Sequence, residues 1–297
     1  MLKKVLFTFL SLVLTLILAG CHELTQSLPQ PTTSPVSSST PTPAPTLTAS
    51  PIPTAAFDTS PDWWQDSTFY LIFVRSFYDS NGDGIGDFKG ITQKLDYLND
   101  GNPSVTSDLG INALWLMPIM DSPSEHGYDV RDFYKVNPQY GTLDDFKELL
   151  AEAHKRGIHV VIDFVLHNTS EQNNWFIQSQ DPKSPYRTWY LWSDTDPGWR
   201  GPWGQQVWYP LNNDYFYAYF GSASPNLNLT SPEVTSEMKK VASFWVNEVG
   251  VDGFRLDAIG TLIPEGTKAM NTPATHRWLK DYQVYLKSLN PSFFTVG

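Results

Sequence analysis

Short apolar runs alternate with segments of helical periodicity over most of the chain after residue 62. The runs are rich in β-branched and aromatic side chains, which is typical of buried strands. The segments between them space their apolar residues three and four positions apart and carry helix caps, such as Thr142 and Ser231. We therefore predict strands at 69–74, 111–117, 158–164, 251–257 and 293–296, and helices at 89–99, 142–156, 231–249 and 274–289.

This alternation predicts an α/β fold with a parallel sheet, because crossover helices join strands that run the same way. Arg75, Asp163 and Asp257 fall at the C-terminal ends of strands, where barrels of this class carry their functional groups. More than 60 residues separate the third strand from the helix at Ser231, too many for a plain loop. We predict a parallel α/β sheet with a small inserted subdomain at about 168–230.

The N-terminal segment has a different character. Lys3 and Lys4 precede an apolar run too short to span a bilayer comfortably, which indicates a secretory signal peptide over residues 1–20. Small residues lead into Cys21, as in a bacterial lipobox, and imply cleavage before that cysteine and lipid attachment to its sulfur. An ordinary signal peptide followed by a chance cysteine is the alternative. We expect an extracytoplasmic, cell-envelope lipoprotein of a bacterium, held to a membrane by its N-terminal lipid anchor.

Composition separates a tether from a folded domain in the rest of the chain and excludes some classes of function. Ser, Thr, Pro and Ala dominate residues 21–61, which predicts a disordered tether before one large domain at 62–297. A formal net charge of −11 without a basic stripe argues against nucleic acid as a partner. Cys21 is the only cysteine, so an intrachain disulfide is excluded. The insert holds six of the eleven tryptophans, and composition leaves open whether they line a cleft or pack a core.

The sequence Gly253-Phe254-Arg255-Leu256-Asp257 carries the most informative candidate chemistry. Residues two apart on a strand share one face, so Arg255 is placed to keep Asp257 ionised. An ionised carboxylate at a strand end suits a nucleophile. A purely structural ion pair between the two side chains is the alternative.

A second candidate site is the loop from Asp79 to Asp87, Asp-Ser-Asn-Gly-Asp-Gly-Ile-Gly-Asp. Oxygen-bearing side chains alternate around a glycine turn, which is the ligand type that a hard cation prefers. The loop lacks a glutamate at its twelfth position, where Gly90 stands, and it follows a strand, so it is not an EF-hand. A solvated turn without an ion is the alternative.

Several motifs, in order, resemble the α-amylase family, glycoside hydrolase family 13, on its oligo-1,6-glucosidase and neopullulanase side. The resemblance covers about residues 63–297 and is carried by separate segments, of which no single one would be specific. These segments are 70–79 for the first strand, His126-Gly127-Tyr128-Asp129 for a sugar subsite, 161–166 for the third strand, 253–258 for the fourth and 293–297 for the fifth.

The resemblance implies that residues 62–297 are the N-terminal part of a catalytic domain with an α/β fold, a (β/α)8 TIM barrel truncated after strand five. It also implies a retaining hydrolase of α-1,4- or α-1,6-linked glucans. It makes Asp257 the nucleophile and Arg255 its charge partner, while Asp163 positions Arg255. Tyr128 and Asp129 would belong to the innermost sugar subsite, with loop capping as the alternative for Asp129. It also implies a structural Ca²⁺ bound by the side chains of Asp79, Asn81, Asp83 and Asp87 and by the carbonyl of Ile85.

Two departures from the family pattern affect these expectations. The third-strand motif of the family ends in Asn-His, whereas this chain has His167-Asn168. Because neighbours on a strand face opposite sides, the exchange should place an amide where the sugar-contacting imidazole belongs, unless the backbone shifts by one residue. Asn226 stands where the family commonly has an aspartate, which puts a second calcium near the insert in doubt. We take His167 and Asn168 as candidate substrate contacts.

The resemblance also implies that the acid/base glutamate would follow directly after Gly297, so we expect the chain as written to be a fragment without that group. Five strands of an eight-stranded barrel leave two open edges, and we expect the 62–297 piece alone to be unstable. A transglycosylase of the same family, and a surface glucan-binding lipoprotein without turnover, are the alternative functions.

Overall fold

The computed structural model describes residues 57–297. The predicted signal peptide at 1–20, the lipidation site at Cys21 and most of the tether at 21–61 lie outside the described residues. Over 57–297, no helix is both long and apolar enough to cross a membrane.

The central element is a five-stranded parallel sheet whose strand order follows the chain order, β1-β2-β5-β9-β10 in the numbering below. One antiparallel pair, β3-β4, lies outside this sheet, and a three-stranded antiparallel sheet, β6-β8-β7, lies within the insert. The strands are β1 (Phe69–Ile72), β2 (Ala113–Leu116), β3 (Met120–Asp121), β4 (Asp132–Val136), β5 (His159–Phe164), β6 (Trp192–Ser193), β7 (Trp208–Leu211), β8 (Asp214–Tyr217), β9 (Gly253–Leu256) and β10 (Phe294–Val296).

Helices connect the strands of the parallel sheet, as the alternating pattern predicts. The longer ones begin at side-chain caps. Thr142 Oγ1 accepts from Asp145 N–H, and the Asp145 carboxylate accepts from Thr142 N–H in return. Ser231 and Thr272 each precede a proline in the first helical turn. The helices are α1 (Val74–Phe77), α2 (Phe88–Gln93), α3 (Leu95–Leu98), α4 (Leu143–Lys155), α5 (Asn174–Ser179), α6 (Pro232–Ser243) and α7 (Pro273–Leu289).

Two predicted helices differ from the structure. The helix expected at 89–99 is divided into α2 and α3 at Lys94, whose N–H bonds to the carbonyls of Ile91 and Thr92 instead of continuing the regular ladder. The helix expected at 231–249 is regular only in α6 and ends in a wider π turn at Phe244–Val249. In that turn Trp245 is fully buried and donates its indole N–H to the carbonyl of Phe133 at 2.8 Å. The local spacing of apolar residues does not predict such departures from a regular helix, which depend on contacts with distant parts of the chain.

Alternate residues of the parallel sheet face two separate clusters. Val160 and Ile162 of β5 pack into the main core with the helices, whereas Val161 packs on the other face with Trp63 and Ala113. Asp163 shares the face of Val161 because it lies two residues further along the same strand. In the register of β5 and β9, Asp163 lies beside Arg255. Asp163 and Arg255 are therefore neighbours on the inner face of the sheet.

Arg75 is an exception among the predicted strand-end residues. β1 ends at Ile72, so Arg75 lies in α1, and its guanidinium donates to Gln139 Oε1 at 2.7 Å, away from Asp163 and Asp257. The rest of the arrangement confirms the prediction of an α/β fold built on a parallel sheet. β1 and β10 are the outer strands of this sheet, and Leu71 and Val296 are 50% and 44% exposed there.

Candidate active site

A shared guanidinium joins two carboxylates at the C-terminal ends of β5 and β9. Arg255 Nη1 donates to Asp257 Oδ1 at 2.6 Å and to the two oxygens of Asp163 at 3.1 and 3.3 Å. Asp257 follows β9 directly, and its N–H bonds to the carbonyl of Phe164 at 3.1 Å, which fixes the backbone at that point. The cluster therefore rests on two paired strands rather than on a free loop.

The two carboxylates differ in their access to solvent. The side chain of Asp163 is fully buried, whereas that of Asp257 is 17% exposed. Burial raises the pKa of Asp163 to about 6, although the charge and hydrogen bonds of Arg255 act in the opposite direction. Burial also opposes the charge on Arg255, but Asp163 and Asp257 outweigh it and raise the pKa of the guanidinium. Arg255 is thus a permanent cation beside the exposed carboxylate.

Tyr128 forms a second wall of the site. Its hydroxyl donates to Asp163 Oδ2 at 3.1 Å, and burial followed by the charge of Asp163 raises the pKa of the phenol, which stays protonated. Gly127 directs the chain into this position with a φ of 80°, and a Cβ there would lie 2.8 Å from the Cβ of Pro118. The ring of His126 lies against that of Tyr128 with centroids 5.9 Å apart.

These side chains border a cavity of about 310 Å³, which we call the Asp257 cavity. Its size lies at the lower end of the range for small-ligand pockets, about 300–1,000 Å³. A carboxylate, a half-buried tyrosine and further aromatic rings around one opening suit a sugar, which combines hydroxyl edges with apolar ring faces. The residues that line it are His126, Tyr128, Asn168, Phe220, Ser224 and Asp257.

The reversed pair His167-Asn168 is divided between the cavity and the core. Asn168 lines the Asp257 cavity, and its amide donates to the carbonyl of Tyr128 at 2.9 Å. His167 is fully buried, and among residues 57–297 neither ring nitrogen has a hydrogen-bond partner. Burial lowers the pKa of His167 to about 4, so the ring is neutral near pH 7. The structure therefore brings Asn168 to the cavity and does not bring His167 there, because neighbours in extended chain face opposite sides.

Asp129, the other subsite candidate, also lies away from the cavity lining. Its side chain is buried, and Oδ1 accepts from the hydroxyl of Ser122 at 2.8 Å and from that of Ser124. These bonds tie the ends of the loop 122–129 together. The placement agrees with the loop-capping alternative for Asp129, because its carboxylate bonds to two serines of the same loop and Asp129 is not among the residues that line the Asp257 cavity.

Oxygen ligands of the predicted cation loop bond mainly to the loop itself. Asp79 accepts from the N–H groups of Asn81, Gly82 and Gly84, and those of Gly84 and Gly82 lower the pKa of its carboxyl most. Asp87 caps α2 through Gly90 N–H at 2.6 Å. Among the described residues, three or more His, Cys, Asp or Glu side chains nowhere converge in a way that would hold a metal. Asn81, Asp83 and Asp87 nevertheless border one common depression of about 200 Å³.

Sequence reasoning missed two cavity residues and one supporting ring. Phe220 and Ser224 come from a loop of the insert that follows β8, and their position depends on how the insert folds back. Trp115 of β2 lies under Arg255, with the guanidinium carbon 5.5 Å from the ring centroid. Trp115 could have been found from the sheet register, because it lies on the same face as Asp163; Phe220 and Ser224 had no comparable signal.

Comparison with known proteins agrees with this geometry. The family described as "Alpha amylase, catalytic domain" matches residues 71–297. "Alpha-amylase 3" of Dictyoglomus thermophilum is 42% identical over 236 residues, which cover 79% of this chain and 44% of that protein. "Oligo-1,6-glucosidase" of Heyndrickxia coagulans is 38% identical over 246 residues, which cover 74% and 43%. An alpha-amylase from H. orenii superimposes with a TM-score of 0.70 and 47% identity, covering 78% of this chain and 47% of that structure.

The chain spans less than half the length of these relatives. Together with the five parallel strands, the likeness confirms the predicted TIM-barrel fold class. It also confirms the resemblance on which the expected chemistry depends. The chain belongs to the alpha-amylase catalytic-domain family, glycoside hydrolase family 13.

Proposed function

We propose that the protein is a retaining glycoside hydrolase that cleaves α-1,4- or α-1,6-linked glucans through a covalent glycosyl intermediate on Asp257. The observation that carries the proposal is the 2.6 Å bond from Arg255 to Asp257 at the wall of an aromatic cavity. The guanidinium donates a charge-assisted hydrogen bond to the carboxylate at that distance, and the 17% exposure of Asp257 leaves it accessible to a sugar. Relatives named as amylase and oligo-1,6-glucosidase support the substrate class.

Each residue of the cluster has a separate part in this mechanism. An oxygen of Asp257 attacks the anomeric carbon, and the glycosidic oxygen leaves with a proton from a second carboxylic acid. Water then attacks the same carbon, releases the sugar and regenerates the carboxylate. Arg255 bonds to Asp257 and orients it, Asp163 bonds to Arg255, and the hydroxyl of Tyr128 bonds to Asp163. The ring of Tyr128 faces the sugar. Asp257 is the only carboxylate that lines the cavity within 57–297, so the proposal assigns no proton donor among those residues.

The stereochemistry of the first product tests the proposal. We expect the full-length protein to release the α anomer from maltotriose and from an α-1,6-linked oligosaccharide, as seen by proton NMR before mutarotation. Release of the β anomer would contradict a covalent intermediate, and absence of cleavage would favour a glucan-binding protein without turnover. Products longer than the substrate would identify a transglycosylase, because a sugar hydroxyl instead of water would then attack the intermediate.

We also propose that the loop 79–87 binds a structural calcium ion. The donor set is all oxygen, as calcium prefers, and Asn81, Asp83 and Asp87 border one depression. Binding would exchange some of the loop's side-chain to N–H bonds for metal ligation. No step of catalysis depends on the ion.

Calcium removal is expected to destabilise the protein. Chelation should lower the melting temperature by about 5–10 °C, since an ion held at ~100 times its dissociation constant contributes about 2.7 kcal/mol. Differential scanning calorimetry with calcium and with chelator measures this. Asp83→Asn should remove the calcium response, whereas Asp100→Asn, in a different loop, should keep it. An unchanged melting temperature on chelation would exclude a structural ion.

Membrane attachment through Cys21 is a further part of the proposed function. A fatty acid on that cysteine would place the enzyme at the cell envelope and let it act on glucans outside the cell. We expect the full-length protein to incorporate an alkyne-tagged fatty acid in bacterial cells and to sediment with membranes. Cys21→Ala should lose both properties, and Ser27→Ala should keep both. Equal labelling of the Cys21→Ala protein would contradict the assignment.

A further inference from the structure

A second and larger cavity opens on the insert, between α5 and the hairpin of β7 and β8. We call it the insert groove. It measures about 580 Å³, within the ~300–1,000 Å³ range of ligand sites, and it shares no lining residue with the Asp257 cavity. Its principal lining residues are Phe176, Ile177, Gln180, Tyr209, Phe216 and Ser222.

The groove has an aromatic floor and a polar rim. Phe176 and Phe216 are buried in edge contact at 5.0 Å, and the partly exposed ring of Tyr209 continues this surface, 5.9 Å from Phe216. Gln172 and Gln180 stand at the rim, and within 57–297 neither side-chain amide makes a hydrogen bond to protein. No basic side chain lines the groove, which disfavours an anionic ligand. Apolar rings flanked by amides match the ring faces and hydroxyl edges of a sugar.

One short loop separates the groove from the Asp257 cavity. Phe220 and Ser224 line the cavity, whereas Ser222, between them in sequence, lines the groove. Two residues of chain span at most about 7 Å, so the two walls are close. The loop is fixed by bonds from Ser224 N–H to Gly221 O at 2.9 Å and from Glu171 N–H to Ala223 O at 3.0 Å. A single polymer bound beside Asp257 could therefore reach over this loop into the groove.

We propose that the insert groove is a second glucan-binding site, which holds a distant part of the same α-glucan chain that is cleaved beside Asp257. This inference rests on the proposed function for its ligand class. Within 57–297, Glu171 is the one carboxylate that lines the groove, and glycoside hydrolysis needs a pair, so the groove contributes binding only. It lets the enzyme favour long chains over short oligosaccharides, because only a long chain can occupy both sites and gain from the second contact.

Binding and kinetics of the Tyr209→Ala protein test the proposal. In the full-length Asp257→Asn background, which binds without turnover, Tyr209→Ala should weaken maltoheptaose about five-fold by isothermal titration calorimetry and leave maltotriose unchanged. In the active protein, the same change should raise KM for soluble starch about five-fold without changing kcat. Tyr97→Ala, which removes a 55% exposed tyrosine from α3, is the matched control and should change neither.

Gln180→Ala is a second variant that should not disturb folding, because the half-exposed side-chain amide of Gln180 makes no hydrogen bond within 57–297. It should also weaken the binding of maltoheptaose and leave that of maltotriose unchanged. If Tyr209→Ala fails to fold, the affinity of the Gln180→Ala protein for maltoheptaose tests the proposal in its place. Folded variants that bind maltoheptaose as tightly as the parent would overturn the groove proposal. So would a parent that binds maltoheptaose no more tightly than maltotriose. If the parent hydrolyses no glucan, the proposed hydrolase activity is refuted. The binding of maltoheptaose and maltotriose would still test whether the insert groove binds a glucan.

Discussion

Replacing Asp257 by asparagine is expected to reduce the rate of maltotriose hydrolysis by roughly 10⁴-fold or more, the scale seen when a catalytic nucleophile is removed. An amide cannot form the glycosyl ester, so the covalent route is closed even if the sugar still binds. The loss should appear in kcat, with a small change in KM, because the wall of the Asp257 cavity keeps its shape. Initial-rate kinetics of the full-length protein measure both constants.

The fold should survive this change, since Arg255 keeps Asp163 as a partner at 3.1 Å. Near-ultraviolet circular dichroism and the melting temperature check that point. Asp96→Asn is the control, because Asp96 is 71% exposed and pairs with Arg156 on the helical side of the sheet, so its activity should equal that of the parent. Activity of the Asp257→Asn protein close to the parent level would remove Asp257 from its role and leave the structural ion pair as the explanation of the motif.

The parallel sheet could be predicted because its determinants are local. β5 is buried along its whole length around the apolar run 160–162, and Thr142 and Ser231 mark the starts of helices. The proximity of Arg255 and Asp257 follows from the two-residue period of one strand, and that of Asp163 follows from the convergence of parallel strand ends. These parts of the site depend on little beyond secondary structure.

The remaining parts depend on the paths of loops, which periodicity does not encode. Asp129 is polar and follows Tyr128, but only the folded loop shows that Ser122 and Ser124 bond to its carboxylate. Phe220 reaches the cavity because the insert returns to the barrel through the bridge that pairs Asn168 with Asn226. The two serines shortly before Asp129 in sequence are a local signal for a capping role of its carboxylate. No short-range pattern identifies the contact between Asn168 and Asn226, which lie far apart in sequence.

The opposite end of the sheet carries the largest expected effect on stability. Asp252 precedes β9, and its carboxylate accepts from Val160 N–H at 2.7 Å and pairs with His154 at 2.8 Å. Asp252→Ala would leave a buried N–H without an acceptor and would remove the partner of His154. We expect the free energy of unfolding to fall by about 3 kcal/mol, as for a broken buried pair. Equilibrium urea unfolding of the full-length protein measures it, with Asp96→Ala expected to cost less than ~1 kcal/mol.

The parent and the Asp252→Ala protein differ in free energy of unfolding, and the pH dependence of that difference separates the effect of the Asp252 charge from that of its packing. Burial acts to raise the pKa of Asp252, but the hydrogen bonds from His154 and from Val160 N–H outweigh it and hold the pKa below its ordinary value. A carboxylate whose pKa is lowered by folding stabilises the protein above its unfolded value of about 3.9, and loses that contribution as the pH falls through the lower folded value. The difference between parent and Asp252→Ala should therefore be present at pH 5 and shrink as the pH falls below about 4. A difference that stays the same at low pH would show that packing, and not the ionised carboxylate, stabilises this end of the sheet.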